Sequence, residues 1–283
     1  MDLLEAITPI LENANVYPLA ENAVVLDIDA HSEIETAIDN KTNCNPKLNN
    51  QQKIWWLCKH LDKSYGQYPA LMDLVPGMNN LTLIFNPLVV YPSQPNFSNT
   101  PINNSEHQTA LAFWTEVLES AWREVDKLSH KTLDSFSGDS GKLFELPVNY
   151  GGDAGPDMDF VAKHTGLSCE QIIAAHCAVE YAVYFIGFQP GFAYLQGMNP
   201  LLVTPRKASP QLAVTPGSVA IGGNQTGIYP LASPGGWQII GQLAETNNSE
   251  SIAVKRQLFD IKRQPPSLLK SGDRIRFIRS DTL

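Results

Sequence analysis

"YFIGFQPGFAYLQG", residues 184–197, packs five aromatic residues, three glycines and a proline into fourteen positions and carries no charge. A buried strand accounts for its apolar start. It does not account for Gln189-Pro190-Gly191, which reads as a turn: proline fixes φ and glycine permits the chain to reverse. The stretch therefore predicts two short strands around a rigid bend. The same grammar continues downstream in "GSVAIGG", "WQIIGQ" and the alternating "DRIRFIR". Short strands separated by Gly and Pro turns predict a closed or strongly bent β-barrel.

Upstream of this run, "KLFELPVNY" reads as a strand followed by two short helices. Asp157 or a neighbour is placed to cap "MDFVAKHT", which Gly166 would stop in a left-handed conformation. Ser168 with Gln171 forms a capping box for "CEQIIAAHCAVE".

Composition changes sharply near residue 138. Only Gly66 and Gly77 precede it, against 17 glycines from there on. Residues 1–140 hold 18 acids and 8 bases, whereas 141–283 hold 11 and 12. Two domains, 1–138 and 139–283, joined near "SFSGDSGK" (135–142), are the simplest organisation. The first reads as a small α/β unit. "AVVLDI" is a strand, 46–61 a helix, and "ALMDLV" with "NLTLIF" a hairpin about Pro76-Gly77. A second helix within 105–128 has a capping box at Ser105 and Gln108. Its apolar stripe runs through Leu111, Trp114, Leu118, Ala121, Trp122, Val125 and Leu128. The order β-α-β-β-α is that of a ferredoxin-like fold, so the whole chain is expected to be α+β.

Several function classes fall away. A net charge of −9 is wrong for a nucleic-acid surface, which needs a basic stripe. No run approaches the roughly 18 apolar residues of a membrane span. The acidic N-terminus lacks a basic signal-peptide start. Cysteines at 44, 58, 169 and 177 form no C-x-x-C pair, which fits reduced thiols and a cytoplasmic protein.

Residues 181–241 contain only two charged side chains, Arg206 and Lys207. Either they mark an exposed loop, or they form an anion site able to grip carboxylate or phosphate. Any protein counter-ion must come from Glu180, the Asp153–Asp159 loop or the other domain. "IGGNQTGIYP" (221–230) either cradles an anion on its backbone N–H groups or makes a tight glycine turn. It lacks the lysine of a P-loop. His176 and Glu180 stand four apart and are compatible with a shared metal, although a hydrogen-bonding histidine is the simpler reading, and no metal is expected.

In order, the chain shows "VNYGGDAGPDMDFVA", "LSCEQIIAAHCAVEYAVYFIGFQPGFAYLQG", "TPR", "PGSVAIGGNQTGIYP", "SPGGWQIIG" and "LLKSGDRIRF". This run closely resembles the family of 5-oxoprolinase B subunits, also called allophanate hydrolase subunit 1, which includes an inhibitor of a sporulation histidine kinase. The resemblance covers nearly all of 143–278. In the first domain it rests on the element order and "NNLTLIFNP". It implies a cyclophilin-like barrel after a ferredoxin-like domain. It also implies assembly with a C subunit, the homologue of allophanate hydrolase subunit 2. With ATP, with or without Mg, that pair would activate 5-oxoproline, which an A subunit opens to glutamate. The alternatives are the carboxyltransferase part of a biotin-dependent urea system, or a non-catalytic kinase inhibitor.

The resemblance also marks residues. "GFQPGF" looks like the family signature, with Phe188, Pro190, Gly191, Phe192 and Tyr194 lining a pocket wall or subunit seam together with Ser218 and Trp237. Arg206, Lys207, Gln225, Thr226, Tyr229 and His176 are the candidates for binding substrate or anion. Four positions depart from the family: Gln211 where Arg is usual, Thr215-Pro216 where Pro-Ala is usual, and Gln242 where a base is common. The run 244–251 reads as a loop insertion.

Overall fold

The computed structural model describes residues 11, 13–28, 46–89, 110–128, 141–244 and 258–280. The chain divides into two compact units, Met1–Gly138 and Asp139–Leu283.

In the first unit, strands β1 (Ala14–Ala20) and β2 (Ala23–Ile28) form a hairpin. Helix α1 (Pro46–Tyr65), strands β3 (Leu71–Pro76) and β4 (Asn80–Phe85) and helix α2 (Ala110–Val125) follow. The strands make one antiparallel sheet in the order β1-β2-β4-β3. The β-α-β-β-α order expected from sequence is present, with β1 added before it. Pro18 hides β1 from a sequence reading, yet an edge strand tolerates a proline because one side has no ladder to feed. Leu81, Leu83 and Phe85 alternate inward from β4 to meet Ile54, Leu57 and Leu61 of α1. The stripe on α2 buries Trp114, Leu118, Ala121, Trp122 and Val125, widened by Phe113 and Val117, while Leu111 and Leu128 are partly buried. Three tryptophans, Trp56, Trp114 and Trp122, are core residues. The capping box at Ser105 and Gln108, the link at 135–140 and most of the 244–251 run lie outside the described residues.

The second unit is built on a closed seven-stranded barrel. Its strands are β5 (Leu143–Tyr150), β6 (Glu180–Ile186), β7 (Ala193–Gln196), β9 (Ser218–Gly222), β10 (Gln225–Ile228), β12 (Gln238–Leu243) and β13 (Arg274–Arg279). They run in the order β10-β7-β6-β13-β5-β12-β9, and β9 returns to pair with β10. Every pairing is antiparallel except β13 with β5, which the long intervening chain permits. Leu146, Val148, Tyr181, Val183, Leu195, Val219, Ile221, Ile228, Ile240, Ile275 and Phe277 fill the interior, so the barrel is a core and not a channel. A separate two-stranded sheet, β8 (Gln211–Val214) with β11 (Ser233–Gly235), completes the strand set.

Helices α3 (Met158–Thr165) and α4 (Cys169–Cys177) connect β5 to β6. Gly166 ends α3 at φ 73°, and its N–H bonds the Ala162 carbonyl. The Ser168–Gln171 capping box forms as expected. Asp157 does not cap α3: its side chain leaves the helix end and accepts from the Ile239 N–H at 2.7 Å. Among the described residues no helix is long and apolar enough to cross a membrane.

Candidate functional site

The bend in the opening stretch is a type II turn. Phe192 N–H donates to Gln189 O at 3.0 Å, Pro190 occupies the second position, and Gly191 the third at φ 79°. Its effect is to send the three rings in different directions. Phe192 is buried at 2% exposure, Tyr194 is half-buried, and Phe188 stands in solvent at 63%. The expected single wall is therefore split. Phe192 is the hub, in edge contact with Phe188 at 5.5 Å, Tyr194 at 4.9 Å, Tyr229 at 5.2 Å and Trp237 at 5.6 Å.

Strand alternation puts this cluster on the outside of the barrel. Ala193 and Leu195 face the interior core, so Tyr194 and Gln196 face outward. Val214, Ala220, Tyr229, Trp237 and Ile239 join Phe192 there. Three of the five glycines of "IGGNQTGIYP" and "SPGGW" are explained by these rings. A Cβ on Gly222 would lie 2.5 Å from the Trp237 indole, and one on Gly227 3.0 Å from Phe192 and 3.1 Å from Trp237. A Cβ on Gly235 would strike the Tyr229 hydroxyl. Gly223 exchanges backbone hydrogen bonds with Thr204. The backbone there is committed to packing and pairing, which removes the anion-cradle reading.

The two cations of the apolar window part company. Lys207 is paired with Asp157 at 2.6 Å and donates to Gln211 Oε1 at 3.3 Å, so its charge is already answered from the 153–159 loop. Arg206 has no carboxylate partner among the described residues, and its guanidinium sits 5.7 Å from the centre of the Trp237 ring. Both flanks hold it. Gln238 donates to the Pro205 carbonyl at 2.9 Å, and Lys207 N–H to the Gly236 carbonyl at 2.7 Å. Burial raises the pKa of Tyr194 and of Tyr229, and the nearby Arg206 charge pulls both back down. The result is an exposed, uncompensated guanidinium above an aromatic floor, a geometry suited to a carboxylate.

His176 and Thr226 do not belong to that floor. Both are fully buried, inside the barrel. The Thr226 hydroxyl donates to Ala220 O at 3.0 Å and accepts from His176 Nε2–H at 3.0 Å. Nδ1 is thereby left to accept from the Tyr150 hydroxyl at 2.8 Å. Burial drives the imidazole pKa down to about 3, so the ring is neutral and both nitrogens are spent. Ser218 shares the outer register of β9 with Ala220 but is buried there at 4% exposure, with its backbone bonded to Thr215 and Tyr229. It cannot line an exposed seam. Glu180 opens β6 instead of ending α4, and it pairs with Arg274 and Arg276. Among the described residues no cluster of three or more His, Cys, Asp or Glu is placed to hold a metal.

The sequence profile described as the carboxyltransferase domain, subdomain C and D, matches residues 18–269. The chain belongs to this family. Within the carboxyltransferase-domain family it is 37% identical over 268 residues to the 5-oxoprolinase B subunit of Escherichia coli O157:H7, covering 95% of this chain and 97% of that one. The B subunit of the Bacillus subtilis 5-oxoprolinase is 34% identical over 212 residues, 75% of this chain and 77% of the other. The crystal structure of TTHA0988 superposes with a TM-score of 0.58 at 29% identity, over 83% of this chain but only 38% of that longer one. The Kluyveromyces lactis urea amidolyase shares the fold at a TM-score of 0.62 and 14% identity, covering 94% of this chain and 15% of that one.

For this family member, the residues brought together are Arg206, Trp237, Tyr194, Tyr229 and Phe192. Sequence reading offered the Asp153–Asp159 loop as a source of counter-ion, and Asp157 of that loop pairs with Lys207; it missed Gln238, which holds the Arg206 loop at Pro205, and Gln196 on the same outer face. Only the last carried a signal, the two-residue spacing from Tyr194.

Proposed function

We propose that this chain is the B subunit of an ATP-dependent 5-oxoprolinase. With a C subunit it would activate the lactam of 5-oxoproline, which an A subunit then opens to glutamate. The observation that carries this reading is the end-to-end likeness to the 5-oxoprolinase B subunit of Escherichia coli O157:H7, 95% of one chain against 97% of the other. The site chemistry supports it. 5-Oxoproline carries a carboxylate, and Arg206 is an uncompensated planar cation held over Trp237. Phe188 and Pro190 are solvent-exposed, rigid and suited to anchoring another protein of the complex. ATP belongs to the assembled complex, and no residue of this chain is assigned to it.

Reconstitution tests the reading. The chain alone should not turn over ATP, whereas adding the C and A subunits should give 5-oxoproline-dependent ATP hydrolysis with glutamate formed. Robust ATPase activity of the single chain, or a complete complex silent toward 5-oxoproline, would overturn it. A second reading, carboxyl transfer from biotin to a urea-type amide, is favoured by the family's carboxyltransferase description. It requires carboxylation of urea in the presence of a biotin carboxylase.

A further inference from the structure

Two glutamines on the outer barrel face carry the inference. Thr226 pairs with Leu195 across β10 and β7, so the next pair along the two strands is Gln225 with Gln196. Leu195 belongs to the interior core and Thr226 bonds the interior His176. Alternation therefore turns both glutamine side chains to the opposite face, the one that carries Tyr194. Gln196 is 8% exposed and Gln225 is 9% exposed. Side chains directly opposite in an antiparallel pair have Cβ atoms about 5 Å apart, so these two side chains leave the backbone at adjacent positions, while their amides make no hydrogen bond to each other.

Each carboxamide has one unsatisfied atom. Gln196 Oε1 is buried without a hydrogen-bond partner among the described residues, and so is Gln225 Nε2. Burying an unpaired amide forfeits its hydrogen bonds to water with nothing in return. Two in register on one face are an exception that calls for a cause. Their surroundings point to a ligand. Gln225 also pairs with Gly222, the residue whose bare backbone seats the Trp237 indole. Trp237 in turn carries the Arg206 guanidinium. The unpaired amides therefore adjoin the aromatic floor, with one bare acceptor and one bare donor on the same face.

We propose that Gln196 and Gln225 form a recognition site for a cis-amide, the group found in a lactam ring or in urea. Such a group presents an N–H and a C=O side by side in one plane. Its N–H donates to one carboxamide oxygen, and its C=O accepts from the other carboxamide's NH₂. A 180° turn of both glutamine amides together exchanges donor and acceptor, so the pair can read the ligand in either direction. This deepens the 5-oxoprolinase reading by naming the residues that hold the lactam, and it rests on that reading for the choice of 5-oxoproline as ligand. Amide recognition by the two residues can be tested without it.

The first test uses the full chain labelled with ¹⁵N and titrated with 2-pyrrolidinone, a lactam with no carboxylate. Saturable shifts of the Gln196 and Gln225 side-chain NH₂ resonances are expected, with little response to pyrrolidine, which has no carbonyl. The second test uses Gln196→Leu and Gln225→Leu in the reconstituted complex. Each should raise KM for 5-oxoproline about ten- to a hundredfold, because a site built around polar contacts penalises their loss heavily. The melting temperature should hold or rise, since an unpaired buried amide is replaced by an apolar group of similar size. A pair that merely encloses structural water gives the opposite pattern, a lower melt with KM unchanged, and that result overturns the proposal. So does the absence of any side-chain shift with 2-pyrrolidinone. If the complex proves inactive on 5-oxoproline while the lactam shifts persist, the functional assignment fails and the amide site stands.

Discussion

The Arg206 guanidinium lies 5.7 Å from the centre of the Trp237 indole, and no carboxylate answers it among the described residues. Cation–π contact of an exposed arginine is worth only about 0.5–1 kcal/mol, too little to explain by itself a loop fixed at Pro205 and at Lys207. Arg206→Ala should leave the melting temperature almost unmoved. In the reconstituted complex it should lower kcat/KM about ten- to a hundredfold, the value of one charge-assisted contact. Arg206→Lys should recover only part, because an ammonium lacks the bidentate fork. Steady-state kinetics beside a thermal melt decides the matter, and unchanged kinetics would return Arg206 to an ordinary surface loop.

Asp157 and Lys207 are 2.6 Å apart and each 18% exposed. A pair this sheltered should couple by about 1 kcal/mol in a double-mutant cycle built from Asp157→Asn, Lys207→Met and the double variant. Asparagine keeps an acceptor for the Ile239 N–H, so the cycle isolates the charge. Chemical denaturation of the four proteins measures it. A coupling near zero would mean that the pair does not fix the loop bearing Arg206.

Gly222→Ala places a Cβ 2.5 Å from the Trp237 ring, where only movement of the indole relieves the clash. A cost of about 1–3 kcal/mol is expected from such overpacking. Tryptophan fluorescence should shift together with the melt, since Trp237 is the aromatic displaced. A variant as stable as the parent, with unchanged emission, would show that the indole does not rest on this backbone.

His176 predicts a pH dependence whose sign follows from its low pKa. Unfolded, the imidazole takes up a proton near pH 6.5; folded, it resists until about 3. The unfolded state therefore binds more protons between those values, and its contribution to stability is full above pH 6.5 and lost as pH falls toward 3. The slope from this one residue is about 1.4 kcal/mol per pH unit within that window. His176→Gln should be less stable at pH 7.5, because the Tyr150 and Thr226 bonds are disturbed. It should also lose less between pH 6.5 and 5 than the parent. Parallel slopes in the two proteins would mean that His176 is not buried neutral.

How legible the molecule was from its residues depended on the range of the interactions. "AVVLDI" and "NLTLIF" reproduce the strands at 23–28 and 80–85 residue for residue, and Gly166 and the Ser168–Gln171 box do the same for the helix ends. These are local effects, set by β-branched side chains, alternation and backbone groups a few positions apart. The charge desert likewise marked Arg206 and Lys207 from composition alone. What the sequence could not say was which of them stays free. Asp157 reaches Lys207 across 50 positions, and Thr226 claims the same separation from His176. Barrel closure brings those partners together, and closure depends on strand register summed around seven strands. The same register set Gln196 beside Gln225 and turned "IGGNQTG" from a possible phosphate cradle into a bed for aromatic rings. Propensity and pattern determined the elements; tertiary pairing decided which polar groups were spent on the fold and which were left for a ligand.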